Sequence, residues 1–239
     1  MHSGQSEGNA AGSGLGLAPG AKVDVLGAPV AYDTTLTYTD RATKAAYIAR
    51  KYASILRTSV LDVGCDQKLL AAHLSPHTRY TGVDLCPPAD VCLNLDQQPL
   101  PFAPQSFDTV VCTDVLEHLE KIHSVFDQLC TISASRVVLS LPNPARNFIF
   151  SLRAGQQGKQ KFYGLPLDEP QDRHRWFFDA EEARAFVTLR AQRNAFVVEH
   201  MHHEDSWVST ILSSKGEDLS ASPALRDGTL WAVLRRQRR

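Results

Sequence analysis

No stretch of this sequence approaches the roughly 18 consecutive apolar residues that a membrane helix needs, so no membrane span is expected. No Cys-x-x-Cys pair occurs among the five cysteines (65, 86, 92, 112 and 130), and their number is odd. That excludes a simple disulfide framework or zinc ribbon, and no metal is expected. Charge of one sign is missing too. Twenty-five Lys and Arg face 26 Asp and Glu, a formal net charge of −1, which removes the global electrostatic case for nucleic acid or an anionic membrane. No basic-then-apolar leader opens the chain, so a reduced, cytoplasmic setting is expected. What is present is ordinary globular composition, 43% hydrophobic and 21% charged over 239 residues, enough for one sizeable core.

Glycine is concentrated at one end. Six of the 14 glycines fall within the first 20 residues, among Ser, Asn and Gln. Such a composition buries too little to offset chain entropy, so residues 1–30 are expected to be disordered and 31–239 to form a single domain. From Asp40, the spacing of Ala45, Ile48, Ala49, Tyr52, Ile55 and Leu56 predicts a helix capped by Thr39 or Asp40.

Alternating elements follow. Strand 59–63 runs into Gly64 and a helix over 67–74, strand 80–84 ends at Asp84, and a short strand 91–95 ends at Asp96. Strand 107–112 precedes a helix bearing Ile122, Val125, Phe126, Leu129 and Ile132 on one face, then strand 137–141 stops at Pro142. This alternation predicts an α/β fold, a mostly parallel sheet with helices on both faces. Right-handed crossovers place the strand ends on one edge, where such sheets bind ligands, and Asp62, Asp84 and Asp96 line up along it.

Beyond Pro144 the pattern breaks. An inserted lid or substrate loop is expected at about 145–178, rich in Gly, Lys and Pro. A helix capped by Asp179 spans 180–191, and strands near 195–200 and 229–234 close the chain.

The edge acids select a ligand. A dinucleotide fingerprint needs glycine at the positions held here by Asp66 and Leu69, and Asp62 and Asp66 would repel a pyrophosphate, so an NAD enzyme is disfavoured. Acids suit a ligand with a cationic end and no phosphate. S-adenosyl-L-methionine has that form: Asp62 holds its ammonium, Asp84 the ribose hydroxyls and Asp96 the adenine amine.

The motifs Val60-Leu61-Asp62-Val63-Gly64-Cys65, Gly82-Val83-Asp84, Asp96 with Leu100-Pro101-Phe102, and Val115-Leu116-Glu117-His118-Leu119 resemble those of class I S-adenosylmethionine-dependent methyltransferases. The branch with Leu-Pro-Phe and Leu-Glu-His signatures is most similar, over residues 58–144. The resemblance implies a Rossmann-like seven-stranded sheet with an antiparallel last strand. It implies cofactor binding by Asp62, Gly64, Cys65, Asp84, Leu85, Asp96 and Thr113. One departure stands out: the family's Gly-x-Gly-x-Gly loop has Asp66 and Lys68 at its second and third glycine positions. A catalytically silent binding protein of the same fold is therefore the alternative.

Methyl transfer needs a positioned nucleophile and a proton acceptor. Asp114, Glu117 and His118 share a face if they lie on a helical turn, with His118 as base. The Asp-x-x-Glu-His spacing resembles the Glu-x-x-Glu-His metal site of ubiquinone and small-RNA methyltransferases, but the shorter Asp leads to the expectation of no metal. The pair His200 and His202, on one face of a strand, is likewise not expected to bind one. Arg173, His174 and Arg175, beside Trp176, Phe177 and Phe178, are the substrate candidates on the lid. The expected substrate is a small-molecule methyl acceptor, such as a glycan or lipid precursor.

Overall fold

The structure, a computed structural model, describes residues 22–23, 29–30, 32–33, 35–153, 155, 165, 167–168, 170, 172–204 and 222–237. The chain divides into two compact units, Met1–Ala31 and Tyr32–Arg239. In the first, β1 (Lys22–Val23) pairs antiparallel with β2 (Pro29–Val30). The rest of the segment expected to be disordered lies outside the described residues.

The second unit holds one seven-stranded sheet: β3 (Ser59–Val63), β4 (Arg79–Asp84), β5 (Val91–Cys92), β6 (Phe107–Thr113), β7 (Ser133–Leu141), β8 (Phe196–Glu204) and β9 (Thr229–Arg236). Their order is β5-β4-β3-β6-β7-β9-β8. Only β9 runs against the direction of the other six strands. The fold is thus the Rossmann-like, mostly parallel sheet with an antiparallel last strand. The chain steps outward from β3 through β4 to β5, then returns to lay β6 on the other side of β3. That reversal is the switch point of an open α/β sheet, and the crevice beyond its strand ends is the usual ligand site.

Strand alternation divides the buried residues between two faces. Leu61, Val110, Cys112, Val137, Leu139, Leu230 and Ala232 pack with Val125, Phe126 and Leu129 of α2 (Ile122–Ile132) and with Ala183 and Val187 of α4 (Ala180–Arg193). Trp231 points the other way, onto Tyr47 of α1 (Arg41–Lys51) and onto Tyr52. Capping is local and behaves as the sequence predicts. Asp40 and Asp179 each close a capping box at the start of α1 and α4.

Three expected elements differ. The helix over 67–74 is a 3-10 turn, Leu69–His73, because Asp66 and Lys68 take left-handed φ of 46° and 55° ahead of it. The strand expected over 91–95 pairs only at Val91–Cys92. The insertion is not irregular throughout, since α3 (Pro144–Arg153) occupies its start, with proline in the first turn where it is tolerated. A short helix, α5 (Pro223–Arg226), precedes β9. Among the described residues no helix is long and apolar enough to cross a membrane.

Candidate active site

The first loop is built around a glycine that no other residue can replace without strain. Gly64 has φ of 79°, and a Cβ there would lie 2.1 Å from Val115 Cγ2. The turn therefore brings bare backbone to the switch point. Its N–H donates to Val83 O at 2.8 Å. Cys65 packs beneath, and burial, then Asp62 and Asp84, push its thiol up to about 12.

Asp84 meets this loop from β4. Its Oδ2 accepts from Asp66 N at 2.8 Å and its Oδ1 from Leu85 N at 2.7 Å, so the carboxylate is rigidly aimed. Leu85 itself is exposed. The charge of Asp66 is met by Arg41 of α1, at 2.6 Å across an exposed pair. Lys68 pairs with Asp90, which also accepts from Gly82 N. The two departures from a glycine-rich loop are thus accommodated, in backbone conformation and in charge.

Asp62 is buried in β3. Its Oδ2 accepts from Tyr80 Oη at 2.7 Å. Burial pushes its carboxyl up to about 6, with Asp84 adding to the rise and Tyr80 and Lys44 opposing it. Asp96 has a structural partner as well, accepting from Glu120 N and Lys121 N, the start of α2, at 3.2 and 2.9 Å. It supplies the side-chain cap that α2 lacks at its own N-terminus.

On the far side of the switch point, Thr113 ends β6 opposite Ser140, and Asp114 follows with φ of 55°. The expected helical turn begins only at Leu116, as a 3-10 turn Leu116–His118. Asp114 is drawn away from it: Oδ2 meets Lys44 Nζ at 2.6 Å and Oδ1 accepts from Ser140 Oγ at 2.5 Å. Burial alone would raise this carboxyl, but Lys44 and Ser140 hold it below the usual range.

Glu117 and His118 are joined by the segment Asp172–Trp176 instead. Arg175 N donates to Glu117 O at 2.8 Å, and Trp176 Nε1 donates to Leu119 O at 2.7 Å. These bonds hold Asp172–Trp176 over the Leu-Glu-His turn. His118 Nδ1 lies 2.6 Å from Asp172 Oδ1, and the His118 and His174 rings meet edge to face at 4.6 Å. The Arg175 guanidinium reaches Glu120 at 3.5 Å on the exposed side. Glu117 is 1% exposed, and its Oε2 has no hydrogen-bond partner. Burial, then Asp114 and Asp172, raise its carboxyl well above the ordinary range.

Ligand-capable atoms of Glu117, His118 and His174 lie within 4.8 Å of one another, so this is also where a cation would fit. His202 is engaged elsewhere, 2.8 Å from Tyr47 Oη and 3.3 Å from Glu204. Beside this segment, Ile122, His123, Leu141, Trp176, Phe178, Glu182, Ala183 and Phe186 line a mostly apolar cavity of about 170 Å³. Residues 154, 156–164, 166, 169 and 171 of the expected lid lie outside the described residues.

Sequence reasoning missed Lys44, Ser140, Tyr80 and Asp172. Lys44 carried a weak signal, a lysine amid the residues that form the apolar side of α1. The others bond across 18 to 54 positions and had none.

A methyltransferase domain family model matches residues 38–188, and the chain belongs to that family. Two solved structures are similar in fold. One is a SAM dependent methyltransferase from Archaeoglobus fulgidus, 12% identical, covering 82% of this chain and 95% of that one, with a TM-score of 0.53. The other is the YcgJ protein from Bacillus subtilis, 13% identical, covering 83% and 100%, with a TM-score of 0.51. A search of curated proteins finds no match.

Proposed function

We propose that this enzyme uses S-adenosylmethionine to methylate a hydroxyl or amine of a small polar acceptor, for which a glycan or lipid precursor is the candidate class. The observation that carries the reading is the pairing at the switch point of a bare left-handed turn, Gly64, with two buried or fixed carboxylates, Asp62 and Asp84. The donor set fits this cofactor, since acids face a cationic group and ribose hydroxyls and no cation of the loop is left over for a phosphate. When bound, S-adenosylmethionine supplies a methyl carbon activated by a sulfonium.

Asp62 receives the cationic amino group, and Gly64 and Cys65 present backbone. Asp84 accepts from the ribose, Leu85 covers the adenine with Asp96 at its edge, and Thr113 borders the crevice. His118 takes the acceptor's proton. Buried Glu117, its carboxyl raised by burial, sits beside Nε2 of His118. Arg173, His174 and Arg175 hold the acceptor from the lid. Asp114 acts with Lys44 to fix the loop beneath. No metal is used in this reading, and five free cysteines suit a cytoplasmic setting.

The silent alternative drew its force from Asp66, and the Arg41 pairing removes that force. The test is a panel of acceptors with labelled cofactor. Turnover that falls at least tenfold in His118→Gln and is indifferent to a chelator supports the reading. Turnover untouched by His118→Gln, or abolished by the chelator, removes the base or the metal-free chemistry respectively.

A further inference from the structure

We infer that Asp172 is a positioning residue, which fixes the nitrogen of His118 that acts as base and makes that base depend on docking of residues 172–176. The inference deepens the methyl-transfer reading and rests on it for the word base, but the tautomer it assigns stands by itself.

The argument begins at Nδ1 of His118. It faces Asp172 Oδ1 at 2.6 Å and the carbonyl oxygen of Arg173 at 3.2 Å. An ionised carboxylate and a carbonyl can only accept. Two acceptors at one ring nitrogen require that nitrogen to carry the hydrogen, so Nδ1 is the donor. In the neutral ring Nε2 is then the basic nitrogen. Nε2 lies on the inner side, 3.6 Å from Glu117 Oε1, which is beyond hydrogen-bond range. The ring is thus aimed inward by a carboxylate that sits on the opposite side, and that carboxylate would also stabilise the imidazolium formed as the proton arrives.

Both acceptors belong to the lid segment and not to the turn that carries His118. The segment is held in place independently, by Arg175 N on Glu117 O and by the indole of Trp176 on Leu119 O. Undocking it removes both acceptors together. The base then loses its tautomer control whenever the segment opens, so proton abstraction is coupled to closure.

The test reads the ring directly and needs no acceptor molecule. The full chain is labelled with 15N histidine, and His118 is assigned as the signal missing from His118→Gln. Imidazole 15N spectra are expected to show His118 as the Nδ1–H tautomer in the wild type. Asp172→Asn, whose amide oxygen can still accept, is expected to keep that tautomer, while Asp172→Ala moves it toward Nε2–H. Trp176→Phe, which leaves Asp172 intact, is expected to move it in the same direction. With an identified acceptor, Asp172→Ala lowers kcat by about tenfold to a hundredfold, in the range of lost orienting partners, with cofactor affinity unchanged. His118 remaining Nδ1–H in both Asp172→Ala and Trp176→Phe would overturn the inference. A tautomer shift without any methyl transfer in the wild type would instead refute the function and leave the positioning intact.

Discussion

Asp62 and Asp114 stand on either side of the switch point, at the ends of adjacent strands, and burial acts on both. Their carboxyls move in opposite directions. Asp62 is pushed up to about 6, with the neutral hydroxyl of Tyr80 bonded to it and Lys44 opposing the rise without an ion-pair contact. Asp114 is held low by Lys44 at 2.6 Å and by Ser140. The difference is direct contact with one ammonium group, that of Lys44. At Asp114 the chain supplies its own cation, and the acid is part of the scaffold. At Asp62 no described residue forms such an ion pair, which under the proposed function leaves the acid for a cation that arrives with the ligand. A buried carboxylate without a cation costs stability unless something it binds repays that cost.

The largest expected effect comes from closing the crevice between the two acids. Gly64→Val meets both a left-handed φ and Val115, and should weaken S-adenosylhomocysteine binding at least a hundredfold by calorimetry. It should also cost about 2–4 kcal/mol in urea unfolding.

Next is Asp62→Asn, which should lower cofactor affinity at least tenfold while stabilising the fold near pH 7 by about 1–3 kcal/mol. The sign follows from the raised value. Folded Asp62 binds its proton more tightly than the unfolded chain does, so its contribution to stability is greatest at low pH. That contribution declines as pH rises from about 4 to about 6. Asparagine should remove the decline, which unfolding curves across that range would reveal.

Lys44→Met should do the reverse on the other side. It leaves Asp114 without its cation and costs about 1–2 kcal/mol at pH 7, between the values for exposed and buried pairs because Asp114 is partly exposed. In the wild type the ion pair's contribution should persist down to the lowered Asp114 value and be lost below it. Smallest of all is Arg41→Ala, an exposed pair, at about 0.5 kcal/mol or less by thermal unfolding.

The turn at Gly64 and the acids and caps around it were legible because their signals are local. Three apolar residues and an acid running into Gly64, a second acid at Asp84, and the caps Asp40 and Asp179 are all read within a few positions. The site's charge balance was not. Lys44 lies 70 positions from Asp114, and His118 meets Asp172 across the inserted segment. Nothing in sequence spacing distinguishes an acid with a cation from one without. Asp66 shows the same limit: by itself it reads as a liability in a glycine loop, and its partner Arg41 is 25 residues earlier. The 3-10 turn after Lys68 and the helix after Pro144 were hidden for a different reason. Left-handed residues that are not glycine, and helices that open on proline within a glycine- and proline-rich stretch, both run against the average preference of their surroundings.

The central claim is that Asp62 is held without a cation so that the cofactor can supply one. Calorimetry with S-adenosylhomocysteine, which keeps the amino group and lacks the sulfonium, measures this most directly between pH 5 and 8. The account predicts clear binding at pH 7.5 that weakens as pH falls through about 6, and a flat, weaker profile in Asp62→Asn. Absence of binding at every pH in a folded sample, or equal affinity and equal pH dependence in Asp62→Asn, would contradict it.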